Sequence, residues 1–126
     1  MKYVLIKTDN TVEIVDIEHD NFLNKCYELI KCNFIEITTP NFGCSQFRIV
    51  LDDMCKLNDQ PFNRLATVFY ASNDILFGNV IIGTAGLNEY GEYDFIGLEE
   101  EEAIRLKDYL DFIKTLIDSG VNVVCI

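Results

Sequence analysis

The chain reads as an α+β domain, a mixed or antiparallel sheet with two main helices packed on it in two layers. Two observations lead there. Short runs rich in Val and Ile recur between polar turn residues, which is the pattern of strands. Two longer stretches, over 20–31 and 99–118, repeat apolar residues every three or four positions, which is the pattern of helices buried on one face. Such faces are buried by laying helices on a sheet. At 126 residues, the whole of 1–126 is expected to form a single domain.

Tyr3–Lys7 and Thr11–Asp16 read as a strand pair joined by a turn at Thr8-Asp9-Asn10. In the first helix, Phe22, Cys26, Leu29 and Ile30 share one face, with Asp20 as its N-cap and Asn33 as a left-handed C-terminal cap. Phe34–Thr39 is a third strand, stopped by Pro40 and followed by a turn at Asn41-Phe42-Gly43. Phe47–Leu51 is a fourth. Asp52-Asp53-Met54-Cys55 reads as a turn into a short extended piece at Lys56-Leu57.

Pro61 is placed to open a short helix through Asn63, Arg64, Leu65, Ala66 and Phe69, although Thr67–Tyr70 has equal strand character. Val80–Thr84 is a strand in which Gly83 marks a bulge or a close packing approach. The stretch 86–97 is either a mobile loop or a loop containing a short strand over Tyr93–Ile96. Ala103, Leu106, Leu110, Ile113 and Ile117 stripe the last helix, which Ser119-Gly120 closes. Asn122–Ile126 reads as a final strand or a cover for the core.

Charge narrows the range of partners. Twenty-one acids against ten Lys and Arg leave a net charge of −11, and the bases are scattered singly. Nucleic acid and anionic membrane are bound through clusters of Lys and Arg, so direct binding to either is not expected. No apolar run is long enough to span a bilayer. Five cysteines form no CxxC pair and are odd in number, which fits a reducing cytoplasm better than a disulfide scaffold.

Four pieces, taken in order, carry a resemblance. They are the opening MKYVLIKTDNTVEIVDI, the strand CNFIEITTP, the acidic turn and helix start DDMCKLNDQPFNRLA, and NVIIGTAG followed by GLEEEEAIRLKDYL. As an ordered set over residues 1 to about 110 the chain resembles a family of small uncharacterised proteins carried by bacteriophages, plasmids and bacteria. It departs from that family at Phe34, where a Gly commonly precedes the Ile-Glu pair, and in a longer Asn-Asp-Gln insertion before Pro61. The resemblance implies a mobile-element or accessory origin and no chemistry.

Candidate chemistry is sparse. His19 is the single histidine, so two-histidine metal sites are excluded, and its neighbours Glu18 and Asp20 fit an exposed polar turn. The cysteine spacings match no zinc framework, and no cofactor or metal is expected. Asp52 and Asp53 read as turn formers. Gly83-Thr84-Ala85-Gly86 lacks the lysine of a phosphate loop. Asn63 and Arg64 are structural or functional candidates: a buried Asn fixes a turn through backbone bonds, and an Arg beside it pairs with acids or with a partner.

The most unusual segment is 89–102. Glu89, Glu92, Asp94, Glu99, Glu100, Glu101 and Glu102 contain no base among them, and Tyr90 and Tyr93 interleave with the first three. Tyrosines anchor interfaces and carboxylates steer basic partners, so the leading expectation is a protein-binding module that is not an enzyme. Its partner is a basic or nucleic-acid-handling host protein. One alternative is a small-ligand protein or small enzyme with a pocket near Gly83–Gly86. Another is a structural homodimer formed through an edge strand or the 121–126 tail.

Overall fold

A computed structural model of the chain describes residues 1–40, 46–54, 57–71 and 74–120. The expected turn at 41–43, the piece at Cys55-Lys56 and the final strand over 122–126 lie outside them. The strands are β1 (Lys2–Ile6), β2 (Val12–Asp16), β3 (Ile35–Thr38), β4 (Phe47–Asp52), β5 (Val80–Leu87) and β6 (Tyr93–Ile96). The helices are α1 (Phe22–Ile30), α2 (Arg64–Tyr70) and α3 (Glu100–Asp118). The class is α+β, and every strand pairing is antiparallel. None of the described helices is long and apolar enough to cross a membrane.

The sheet runs β2-β1-β5-β4-β3, and β6 also pairs with β5. Val80–Ile82 of β5 pair with β1, and Thr84–Leu87 pair with β6. Strands β1 and β6 therefore lie end to end along the same side of β5, joined where the Leu98 N–H donates to the Lys2 carbonyl at 2.7 Å.

Helices cover both faces, so the expected two layers extend to three. Along a strand, side chains alternate between faces. Val4 and Ile6 face α2 and α3, with Ile49, Leu51, Val80 and Ile82. Tyr3 and Leu5 face α1, with Val50 and Ile81. Helix α3 buries Ala103, Leu106, Leu110 and Ile113, the stripe its spacing predicts. Helix α1 buries Cys26 and Ile30, and Phe22 and Leu29 pack against the same cluster.

Local details differ from expectation. Asp20 lies in a 3-10 turn over His19–Asn21, so Asn21 holds the α1 N-cap position. Lys31, not Asn33, takes the left-handed conformation at the other end (φ 62°). The carbonyls of that end are met by distant amides: Asn79 Nδ2 donates to Leu29 O at 3.0 Å, and Gln60 Nε2 to Lys31 O at 3.1 Å. Leu57 belongs to a turn rather than an extended piece, because its N–H donates back to Met54 O at 3.0 Å. Asp52 ends β4 almost fully buried, accepting from Met54 N, Asn58 Nδ2 and Gln60 Nε2 at 2.9, 2.9 and 3.1 Å.

Asn63 precedes α2 as its N-cap instead of lying within it. Its side chain is fully buried. Oδ1 accepts from Ala66 N at 3.0 Å, while Nδ2 donates to Ile6 O at 3.1 Å and to Gly78 O at 2.8 Å. Thr67 adds a hydroxyl bond to Asn63 O at 2.7 Å and accepts from Leu76 N at 2.9 Å, which commits Thr67–Tyr70 to helix. Leu65 N finds Asn10 Oδ1 at 3.3 Å, so the first hairpin's turn also caps α2. Arg64 is exposed and makes no ion pair with a described residue.

Asn63→Ala removes a cap and the Nδ2 donor that two junction carbonyls share, so chemical denaturation is expected to show a loss of about 2–4 kcal/mol. Asn63→Asp keeps the capping oxygen but sets a carboxylate against those carbonyls. It is expected to be no more stable than the alanine variant, although Asp is as good a cap as Asn in isolation.

Candidate functional site

The stretch 86–97 is the second half of a hairpin. Leu87 pairs with Tyr93 and Thr84 with Ile96, so β5 and β6 stay in register up to the turn. Asn88 organises that turn. Its Oδ1 accepts from Tyr90 N at 2.9 Å and Glu92 N at 3.0 Å, and its N–H donates to Glu92 O at 2.8 Å. Gly91 supplies the positive φ (75°) that the turn needs.

Gly83 and Gly86 lie inside β5, where side chains of the neighbouring β6 lean over them. A Cβ on Gly83 would sit 2.5 Å from Phe95 Cζ, and one on Gly86 would sit 2.8 Å from Ile96 Cδ1. The expected close approach at Gly83 is thus the seat of an aromatic ring. Phe95 stacks on Tyr3 at 5.7 Å between ring centroids and meets Phe22 at 5.3 Å, while Tyr3 and Phe22 lie 5.2 Å apart. Such a triad adds to simple area burial. It ties β1, β6 and the start of α1 together.

Two hollows flank the triad. A groove of about 570 Å³ runs between the start of α1, with Asp20, Phe22 and Leu23, the β3 residue Ile37, and Asp94 and Phe95 of β6. A smaller hollow of about 180 Å³ lies toward the hairpin, with Leu87, Asn88 and Glu89 in its wall. Tyr3, His19 and Phe95 line both. The concavity beside the β5 end therefore opens toward α1. No residue of α3 lines either hollow. His19 was not legible as part of a concave surface, because its neighbours Tyr3 and Phe95 are remote in sequence.

The acidic segment divides. Glu89, Tyr90, Glu92, Tyr93 and Asp94 occupy the hairpin tip and the adjoining end of β6, all exposed. Tyr90 and Tyr93 are 74% and 73% exposed, and the neighbouring Leu87 68%. Glu99, Glu100 and Glu101 are exposed and Glu102 partly so, at the start of α3. Between Asp94 and Glu99 the chain passes through Phe95, Ile96, Gly97 and Leu98, which are partly or fully buried, so the exposed acids fall into two groups. None of the seven acids forms an ion pair with a described base. The nearby Met1 amine and Lys2 are engaged by Asp16 at 3.0 and 3.1 Å.

Asn63 caps the start of α2 and Arg64 is its first residue. Among the described residues no cluster of His, Cys, Asp and Glu is suited to a metal ion. Burial pushes the Cys26 thiol up to about 12, with a smaller push from Cys32, and burial raises Cys32 to about 11. Both are core thiols without nucleophilic character at neutral pH.

A small antiparallel α+β protein with an aromatic, acid-rimmed face is what fold and surface define. The chain belongs to the family described as a domain of unknown function (DUF3846), whose family model matches residues 1–111. No curated protein and no solved structure matches it.

Burial, then the nearby Cys26 and Asp94, push the Tyr3 hydroxyl from 10.0 up to about 12. The unfolded tyrosine ionises first, so this contribution to stability is full below pH 10.0 and disappears as pH rises through about 12. Denaturation midpoints measured across that window are expected to fall more steeply for the native chain than for Tyr3→Phe, by about 2–3 kcal/mol in total. Gly83→Ala is expected to cost about 1–3 kcal/mol in the same assay, because Phe95 has to leave its seat.

Proposed function

We propose that this protein is a non-catalytic protein-binding module of the mobile-element accessory type, acting on a basic, nucleic-acid-handling host protein. The observation that carries the reading is the hairpin tip, where Leu87, Tyr90 and Tyr93 stand out of a rigid turn among Glu89, Glu92 and Asp94. Exposed tyrosines give contact area at small entropic cost, and the surrounding carboxylates draw a basic surface toward them. A turn held by Asn88 presents these groups with little ordering left to do on binding. Glu99–Glu102 extend the field without adding aromatic contacts.

A second reading has its own observation. The groove beside Tyr3, Phe22 and Phe95 has the volume of a small-ligand site and is walled by aromatic and acidic groups, which favours an apolar or cationic small molecule. The charge on each copy, −11, weighs against a homodimer built on the acidic faces.

Because the two acidic groups are apart, they can be tested separately on a partner captured from host cells at low salt. Neutralising Glu89, Glu92 and Asp94 is expected to slow association about tenfold and flatten its salt dependence. Tyr90→Ala with Tyr93→Ala is expected to speed dissociation. Neutralising Glu99–Glu102 is expected to have the smaller effect. Unchanged association and dissociation in all three variants would remove this surface from the proposal.

A further inference from the structure

We propose that the open edge of β3 is a second docking site, which takes an extended segment of a partner protein with alternating apolar and basic side chains. It stands on a different surface from the hairpin and rests only on the general protein-binding reading.

Strand β3 ends the sheet. Phe34 O accepts from Asp53 N at 3.1 Å, so Phe34, Glu36 and Thr38 turn their backbone groups toward β4. By the same alternation Ile35 and Ile37 direct their N–H and C=O groups outward, where no described strand meets them. Sheet edges are normally blunted by charge. The opposite edge strand, β2, follows that rule, with Glu13 and Asp16 both in ion pairs. Strand β3 carries one charge, Glu36, and leaves Ile37 48% exposed beside Phe34 at 65%.

Each face of the sheet has a concavity against this edge. On the α1 face Ile35 and Ile37 form one wall of the aromatic groove, with Leu23 exposed beside them. On the other face a hollow of about 200 Å³ is lined by Glu36 and Asp53, and the Thr38 and Tyr70 hydroxyls share a bond of 3.2 Å in its wall. No base is among its described lining residues, and Met54, Leu57 and Ile75 lie exposed around it.

An added strand would lie about 4.8 Å outside β3 and bond to the outward groups of Ile35 and Ile37. Its side chains would alternate between the two concavities. The residue opposite Glu36 enters the acidic hollow, which selects Lys or Arg, and the residues on either side of it turn to Ile35, Ile37 and Leu23 at the near wall of the aromatic groove. A second copy of this chain fits poorly. Two-fold pairing about Glu36 would set that carboxylate against its own mate, between molecules that each carry −11.

The test uses the full chain and a synthetic peptide of alternating Val and Lys, about nine residues long. A peptide with Glu for Lys and one N-methylated along a single backbone edge serve as controls. Binding is expected to slow amide exchange at Ile35 and Ile37 at least tenfold. N-methylation should weaken affinity at least tenfold, the Glu peptide should not bind, and Glu36→Lys should reverse the charge preference. Equal affinity for the N-methylated peptide would overturn strand addition. So would Ile35 and Ile37 amides already protected in a dimeric peptide-free protein, which would identify the occupant as a second copy. If neutralising Glu89, Glu92 and Asp94 abolished peptide binding while Glu36→Lys left it intact, the edge site would fall and the hairpin would stand. The reverse result would retain the edge without the hairpin.

Discussion

Three parts of the fold meet on one side-chain amide. Asn63 takes the Ile6 carbonyl at the end of β1, the Gly78 carbonyl just before β5 and the Ala66 N–H of α2. Only a group that is both donor and acceptor can do this without burying charge. The same device recurs nearby. Gln60 links the end of α1 to Asp52, and Asn79 accepts from Thr8 N while donating to Leu29 O. In an acid-rich chain, neutral amides hold the junctions that carboxylates would spoil, because most of the acceptors there are carbonyl oxygens.

With those junctions set, coverage of the sheet determines what is left open. Helix α3 lies over β1 and β2, while the seven-residue α2 leaves the flank of β3 as a shallow acidic hollow. On the far face α1 covers the centre and stops at Phe22, beyond which the aromatic groove begins. Both hollows border β3, an edge strand with one charged side chain. The open edge and its two flanking concavities are thus consequences of short helices on a six-stranded sheet.

Much of the fold was legible in the chain. The stripe of α3, the first hairpin and the strands read at 34–39, 47–51 and 80–84 follow from period and turn chemistry alone, whereas the run of β5 on to Leu87 does not. Even the covering of both faces had a signal. Tyr3–Ile6 and Val80–Ile82 are apolar without alternation, which is how strands covered on two sides read. The cap at Lys31 was not legible, because an Asn two residues on has the better intrinsic tendency, and distant Gln60 and Asn79 decided where the helix ends.

The candidate surface divides in the same way. Sequence alone determined that acids and tyrosines concentrate between 89 and 102 and that bases do not, since composition is a property of the chain. Only the tertiary structure decided that this run forms two surfaces, since β6 has to pair with β5 and carry Phe95 down onto Gly83. Likewise, sequence marked Phe34–Thr39 as a strand but not as an edge. Edge status depends on which strands find partners, and those contacts are made across the whole length of the chain.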